Sequence, residues 1–153
     1  MDIYHEPEVI DIARVSAITS SQKGLSRIEE IIHFAKQCGY KKIGLVHCAA
    51  LTRQAEKVQE IFKNAGLEVE NSMCKIGNIP QTFLGLNSSS PMCNPIAQAQ
   101  HFNAIETDMN VLLGLCVGHD TLFFKYSTAP VTVLAVKDRV YKHNPLAALE
   151  DLP

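Results

Sequence analysis

Apolar positions along the chain fall into two alternating rhythms. Lys42 to Cys48 (KIGLVHC), Asn110 to Cys116 (NVLLGLC) and Val131 to Val136 are almost continuously apolar and read as strands buried on both faces. Leu67, Val69 and Met73 mark another strand with an alternating, half-exposed start. Between these runs the spacing turns helical. Ser26 and Glu29 form a capping-box pattern before Ile28, Ile31, Ile32 and Ala35, and Gly39 supplies the stop. Ala55, Val58, Ile61 and Phe62 define a helix over Thr52 to Asn64, ended by Gly66. Asn94 as cap and Pro95 at the first position open a helix that runs to Glu106. Asp120 is expected to cap a short helix through Phe124 and Tyr126, and Asn144-Pro145 to open a terminal helical turn. Upstream, Val9, Ile10, Ala13 and Ala17 place a helix over Pro7 to Ile18, followed by a break from Ser20 to Gly24.

Helices alternating with buried apolar strands predict an α/β fold with a parallel sheet. The expected architecture is a three-layer αβα sandwich of about four strands, flavodoxin- or Rossmann-like, in the order 2-1-3-4 that right-handed crossovers favour. Residues 1–153 form one domain, with 1–24 as an N-terminal helical extension through which a homodimer would pack. From Gly77 to Met92 the pattern dissolves among Pro80, Gly85, Ser88-Ser89-Ser90 and Pro91. A loop of this length is often a functional lid, with disorder the plainer alternative.

Composition narrows the function classes. Hydrophobic residues make up 46% of the 153 and charged residues 20%, which suits a globular domain. The net charge of −2 leaves no basic surplus for neutralising phosphates, so a nucleic-acid partner is not expected. No apolar run approaches the roughly 20 residues that span a bilayer. The start, Met1-Asp2-Ile3-Tyr4-His5-Glu6, lacks the basic and apolar stretches of a signal peptide, which makes the cytoplasm the expected compartment. The five cysteines are odd in number and form no Cys-x-x-Cys pair, so neither a disulfide framework nor a zinc ribbon is indicated.

Open parallel sheets bind ligands at the carboxyl ends of their strands. That rule gathers His47 and Cys48 after the first strand, Cys116, Gly118, His119 and Asp120 after the third, and Lys137, Asp138 and Arg139 after the fourth. Helix starts add Cys93 beside Asn94, His119 beside Asp120 and His143 beside Asn144. Free N–H groups and the helix dipole favour negative charge at such positions. Cys93 is therefore expected to be the low-pKa thiolate and leading reactive residue, with His119 as a ligand or general base. Cys48, Cys93, Cys116, His119 and His143 make a candidate metal set suited to zinc or an iron–sulfur cluster. Lys137 and Arg139 would hold an anionic group, with Asp120, Asp138, Asn94 and Asn144 capping or orienting.

Each feature also has a structural reading. Cys116 ends an apolar strand, Cys38 lies on the apolar side of a helix, and Cys74 fits either role. His33 and His101 carry no specific signal. Gly-His-Asp reads equally as a tight turn, and Lys137-Asp138-Arg139 as a solvated strand end with a weak ion pair.

CNPIAQA (Cys93 to Ala99), GLCVGHD (Gly114 to Asp120) and VKDRVYKHNP (Val136 to Pro145), with the Ile43-Gly44-Leu45 strand, resemble an uncharacterised bacterial and archaeal family. It is a domain of unknown function whose members are commonly labelled metal-binding. The resemblance covers most of the chain after about Lys42. Longer members carry a cysteine-rich N-terminal segment, whereas this chain has no cysteine before Cys38. The resemblance implies the candidates within its motifs: Cys93, Cys116, His119, Asp120, Lys137, Asp138, Arg139 and His143. The leading expectation is a metal-binding or thiol-dependent redox protein. A non-catalytic module for a small anionic ligand and a structural or oligomerisation unit are the alternatives.

Overall fold

A computed structural model describes residues 2–151. Helices α1 (Pro7–Ser20) and α2 (Arg27–Gln37) lead into β1 (Lys42–His47). Then follow α3 (Thr52–Asn64), β2 (Glu68–Met73), α4 (Pro95–Ala104), β3 (Met109–Leu113), α5 (Val117–Tyr126) and β4 (Val131–Ala135). Short 3-10 turns cover Asp2–His5, Ala49–Leu51, Gln81–Leu84 and Pro145–Glu150. The four strands are parallel and lie in the order β2-β1-β3-β4, as the alternation predicts.

The period of two along each strand sorts side chains into two cores. Ile43 and Leu45 of β1 and Met109, Val111 and Leu113 of β3 face α2 and α3, where Ile31, Ala35, Ala55, Val58 and Phe62 close the layer. Val46 and Leu112 face the other way, against Ala99 and Phe102 of α4 and Phe123 of α5. The result is the expected three-layer sandwich, with α1 laid outside against α2. Gly44 is required on the α4 side, since a β-carbon there would run into Asn110 Oδ1 and lie 2.8 Å from Phe102 Cδ1.

Local signals specify most element starts. Ser26 and Glu29 form the capping box of α2, with Glu29 Oε2 accepting from Ser26 N at 2.7 Å. Asn94 caps α4, its Oδ1 accepting from Ala97 N at 3.1 Å, and Pro95 follows at the first position. The start of α5 differs from expectation. Its cap is Cys116, and Asp120 lies inside the first turns rather than capping them. Gly114, at φ +68°, turns the chain sharply at the end of β3, so the helix begins before a polar cap residue is reached. The segment 77–92 is pinned at its base by a Pro80–Pro91 bridge, with Gln81 N donating to Ser90 O at 2.9 Å and Met92 N to Ile79 O at 2.7 Å.

Candidate functional site

The parallel register carries the chemistry to one edge. Beyond the last β1–β2 pair, His47 with Met73, the chain continues to Cys48 and Cys74. Cys74 N donates to His47 O at 3.0 Å and Cys48 N to Leu113 O at 3.2 Å, so the two cysteines stand side by side past the ends of neighbouring strands. Asn94 N donates to Cys74 O at 2.7 Å, which brings Cys93 alongside as the third in the row. The Cys93 thiol donates to Cys74 Sγ across 3.6 Å. Ala49 N donates to the same sulfur at 3.4 Å. Cys116, the cap of α5, completes a group of four strand-end thiols; the remaining cysteine, Cys38, sits at the far end of α2 as its C-cap.

Two cations arrive from the segment after β4. Lys137 Nζ donates to Cys48 Sγ at 2.7 Å, and Arg139 Nη2 approaches Cys116 Sγ at 3.6 Å. Burial is the largest influence on the Cys48 thiol and raises its pKa. Hydrogen bonds from Lys137 and the Ala50 backbone, the Lys137 charge and Cys74 together outweigh it, and the net shift is downward. Cys93 moves the opposite way. Burial, the hydrogen bond with Cys74 and the nearby charges of Cys74, Cys48 and Cys116 push it up to about 11. The expectation that Cys93 is the low-pKa thiolate is therefore overturned: Asn94 Oδ1 already takes a free N–H of α4, no cation reaches Cys93, and desolvation dominates.

A basic pocket of about 450 Å³ is lined by Ala50, Leu51, Lys137, Asp138, Arg139, Lys142 and His143, and Lys137 links it to Cys48. Asp138 does not face it as an ion-pair partner. Its Oδ1 accepts from Val140 N at 2.9 Å and Tyr141 N at 2.8 Å, fastening the turn that returns His143 to the strand end. His143 Nδ1 lies 3.0 Å from Val136 O and 3.2 Å from Asp138 N. Lys142 and His143 both adopt left-handed backbone, at φ 52° and 67°. Two consecutive non-glycine residues there represent local strain, of a kind that concentrates at functional sites.

His119 and Asp120 stand apart from the thiol row, on α5. Burial lowers the His119 pKa. Asp120 lines a neighbouring hollow of about 470 Å³ with Leu115, Val117, Phe124 and Val136, which shares Lys137 and Asp138 with the basic pocket, and burial raises its carboxyl to about 6. Asn144 precedes the terminal 3-10 turn without a side-chain capping bond. A further cavity of about 300 Å³, between α1, α2 and the starts of β3 and β4, lies at the opposite edge of the sheet and holds none of the thiols.

The structure thus joins Cys48 to Lys137 and Cys116 to Arg139, and brings His143 to the same pocket. It does not bring the five expected metal ligands onto one centre: among the described residues, no three His, Cys, Asp or Glu side chains form a group that could hold a metal ion. Sequence reasoning left Cys74 open between core and site, and it missed Lys142. The strand-end rule that selected Cys48 also selects Cys74, one residue past the last residue of β2.

The family model described as "Protein of unknown function (DUF1847)" matches residues 1–134. The chain belongs to this family. "Uncharacterized protein MJ0455" of Methanocaldococcus jannaschii is 42% identical over 153 residues, covering 95% of this chain and 79% of the relative. The family resemblance seen in the motifs is thereby shown. No helix among the described residues is long and apolar enough to cross a membrane.

Proposed function

We propose that this protein carries out thiol chemistry at the carboxyl edge of its sheet, with Cys48 as the nucleophilic thiolate. The observation that carries the reading is the 2.7 Å contact between Lys137 Nζ and Cys48 Sγ. An ammonium at this distance stabilises the thiolate, which is the reactive form in exchange with disulfides. Lys137, which holds Cys48 Sγ, also lines a pocket with Arg139, Lys142 and His143, so the substrate is a small thiol or disulfide bearing an anionic group. Lys137 would serve two purposes, activating the sulfur and drawing in the anion. The reading is tested by the pH dependence of iodoacetamide labelling, resolved by peptide. Cys48 should label first, at a pH below the ordinary thiol range, while Cys93 labels only in strong alkali. Cys48 labelling no faster than Cys38 would remove the proposal.

A second reading employs the same sulfurs as ligands. Four thiols from four segments lie close enough for Cys93 to feel the charges of Cys74, Cys48 and Cys116. Such soft donors suit zinc or an iron–sulfur cluster. As the side chains stand, no three of these groups share a centre, so Cys48 would have to turn from Lys137 to bind. Metal content of anaerobically purified, untagged protein separates the readings. Near-stoichiometric metal lost in both Cys48→Ser and Cys74→Ser favours ligation, and metal-free protein with reactive Cys48 favours thiol chemistry.

A further inference from the structure

Cys74 has no task in the thiol-chemistry reading, and its surroundings are specific. It is 2% exposed, so no solution oxidant meets it directly. On one side it neighbours half-buried Cys48 across the parallel register; on the other it holds the Cys93 thiol at 3.6 Å. The Asn94 N to Cys74 O bond holds the backbones beside Cys74 and Cys93 together, and the two sulfurs already lie 3.6 Å apart. The Ala49 N–H, aimed at Cys74 Sγ, stabilises negative charge on that sulfur.

We propose that Cys74 and Cys93 are the dithiol on which oxidation comes to rest, with Cys74 relaying it inward from Cys48. The inference builds on Cys48 being the entry thiolate. The oxidant is a low-molecular-weight disulfide. The Cys48 thiolate attacks one of its sulfurs, forming a mixed disulfide and expelling the first small thiolate. Cys74, its proton passed to that first small thiolate, attacks Cys48 Sγ and expels the second, leaving a Cys48–Cys74 disulfide. Cys93, its proton passed to the second small thiolate as it attacks, bonds to Cys74 Sγ and releases Cys48 as the thiolate held by Lys137. In sum, one small disulfide becomes two small thiols, and two protein thiols become one disulfide. Cys48 is thereby restored and the oxidising equivalent is stored in the interior. The product bridge joins the two ends of the segment 75–92, where Phe83, Leu84 and Leu86 are exposed, so the oxidation state also sets how firmly that segment is tied to the sheet.

The test uses the full reduced chain, oxidised glutathione as probe, an acid quench, alkylation and non-reducing peptide mapping. Wild-type protein is expected to lose the mass of two hydrogens and yield a Cys74–Cys93 peptide pair, with Cys38, Cys48 and Cys116 alkylated. Cys48→Ser should slow formation of that pair by about tenfold or more at neutral pH. Cys74→Ser should stop at glutathione on Cys48. Cys93→Ser, which leaves the buried Cys74 position intact, should instead trap a Cys48–Cys74 disulfide. A wild-type product that retains glutathione on Cys48 while Cys74 and Cys93 are both alkylated overturns the dithiol and leaves the Cys48 reading standing. A Cys74–Cys93 pair forming at the wild-type rate in Cys48→Ser overturns the relay and the Cys48 reading together.

Discussion

Cys48 and Cys93 belong to the same row of sulfurs, are both half-buried, and yet are driven in opposite directions. Cys93 holds the position usually credited with activating a thiol, directly before a helix N-terminus. Cys48 only precedes a short 3-10 turn, but it receives the ammonium of Lys137. Desolvation opposes the thiolate at both. A charge-assisted hydrogen bond overcomes it at Cys48, whereas at Cys93 the neighbours are other thiols that add to it. Proximity to a helix start is a weak activator when the cap residue has already consumed a free N–H and no cation is close.

The largest effect should come from Lys137→Met. Removing the ammonium leaves burial as the dominant influence on Cys48, so its pKa rises and its alkylation near neutral pH should fall by about tenfold or more. Cys93 labelling should change little. Equal slowing at both sulfurs, followed by peptide mapping over a pH series, would mean that the variant altered the whole edge rather than the Cys48 thiol.

Asn94→Ala sharpens the contrast from the other side. Losing the Oδ1–Ala97 N bond should lower stability by about 1 kcal/mol, the ordinary value of a helix cap, as read from denaturant midpoints. The Ala97 N–H is then free, so Cys93 should label somewhat more readily while Cys48 is unchanged. An unchanged denaturation midpoint would show that the cap contributes nothing to holding α4.

The smallest effect belongs to Asp120→Asn, at the same sheet edge but outside the thiol row. The Asp120 carboxyl is raised from its ordinary 3.8 to about 6, so the folded state holds this proton more tightly than the unfolded chain does. Stability fully present below about pH 4 is lost as the pH rises toward 6 and stays lost above it. The Asn variant should therefore gain thermal stability relative to wild type at pH 7–8, with the gain shrinking as the pH falls to 4. The shift is modest because the side chain is partly exposed. A gain that grows toward acid pH would reverse the assignment.

Most of the architecture is legible in the sequence. Apolar runs such as Ile43 to Val46 and Val111 to Leu113 are buried on both faces, and their alternation with helices leads to the observed strand order. The capping box at Ser26 and the Asn94-Pro95 start lie where the pattern places them. The start of α5 was misplaced because Asp120 is a statistically favoured cap, whereas the Gly114 turn begins the helix at once after Cys116. In the site, Cys48, Lys137 and Arg139 follow from the strand-end rule and His143 from its place beside a helix start, and they do meet at one edge. Cys74 stays open between core and site in the sequence, because its contacts lie with neighbours in other segments.

The chain's own periodicity determines that this protein is a parallel α/β sandwich with four of its five cysteines, Lys137 and Arg139 carried toward the carboxyl edge, because side-chain alternation and helix signals are short-range properties. Which sulfur becomes the thiolate is a different kind of fact. Lys137 and Cys48 are 89 positions apart, and only the pairing of β1, β3 and β4 brings them to 2.7 Å. The same folding surrounds Cys93 with thiols and withholds a cation from it. A pKa responds to desolvation and charge within a few ångströms, whatever their distance along the chain, so that choice belongs to the tertiary structure alone.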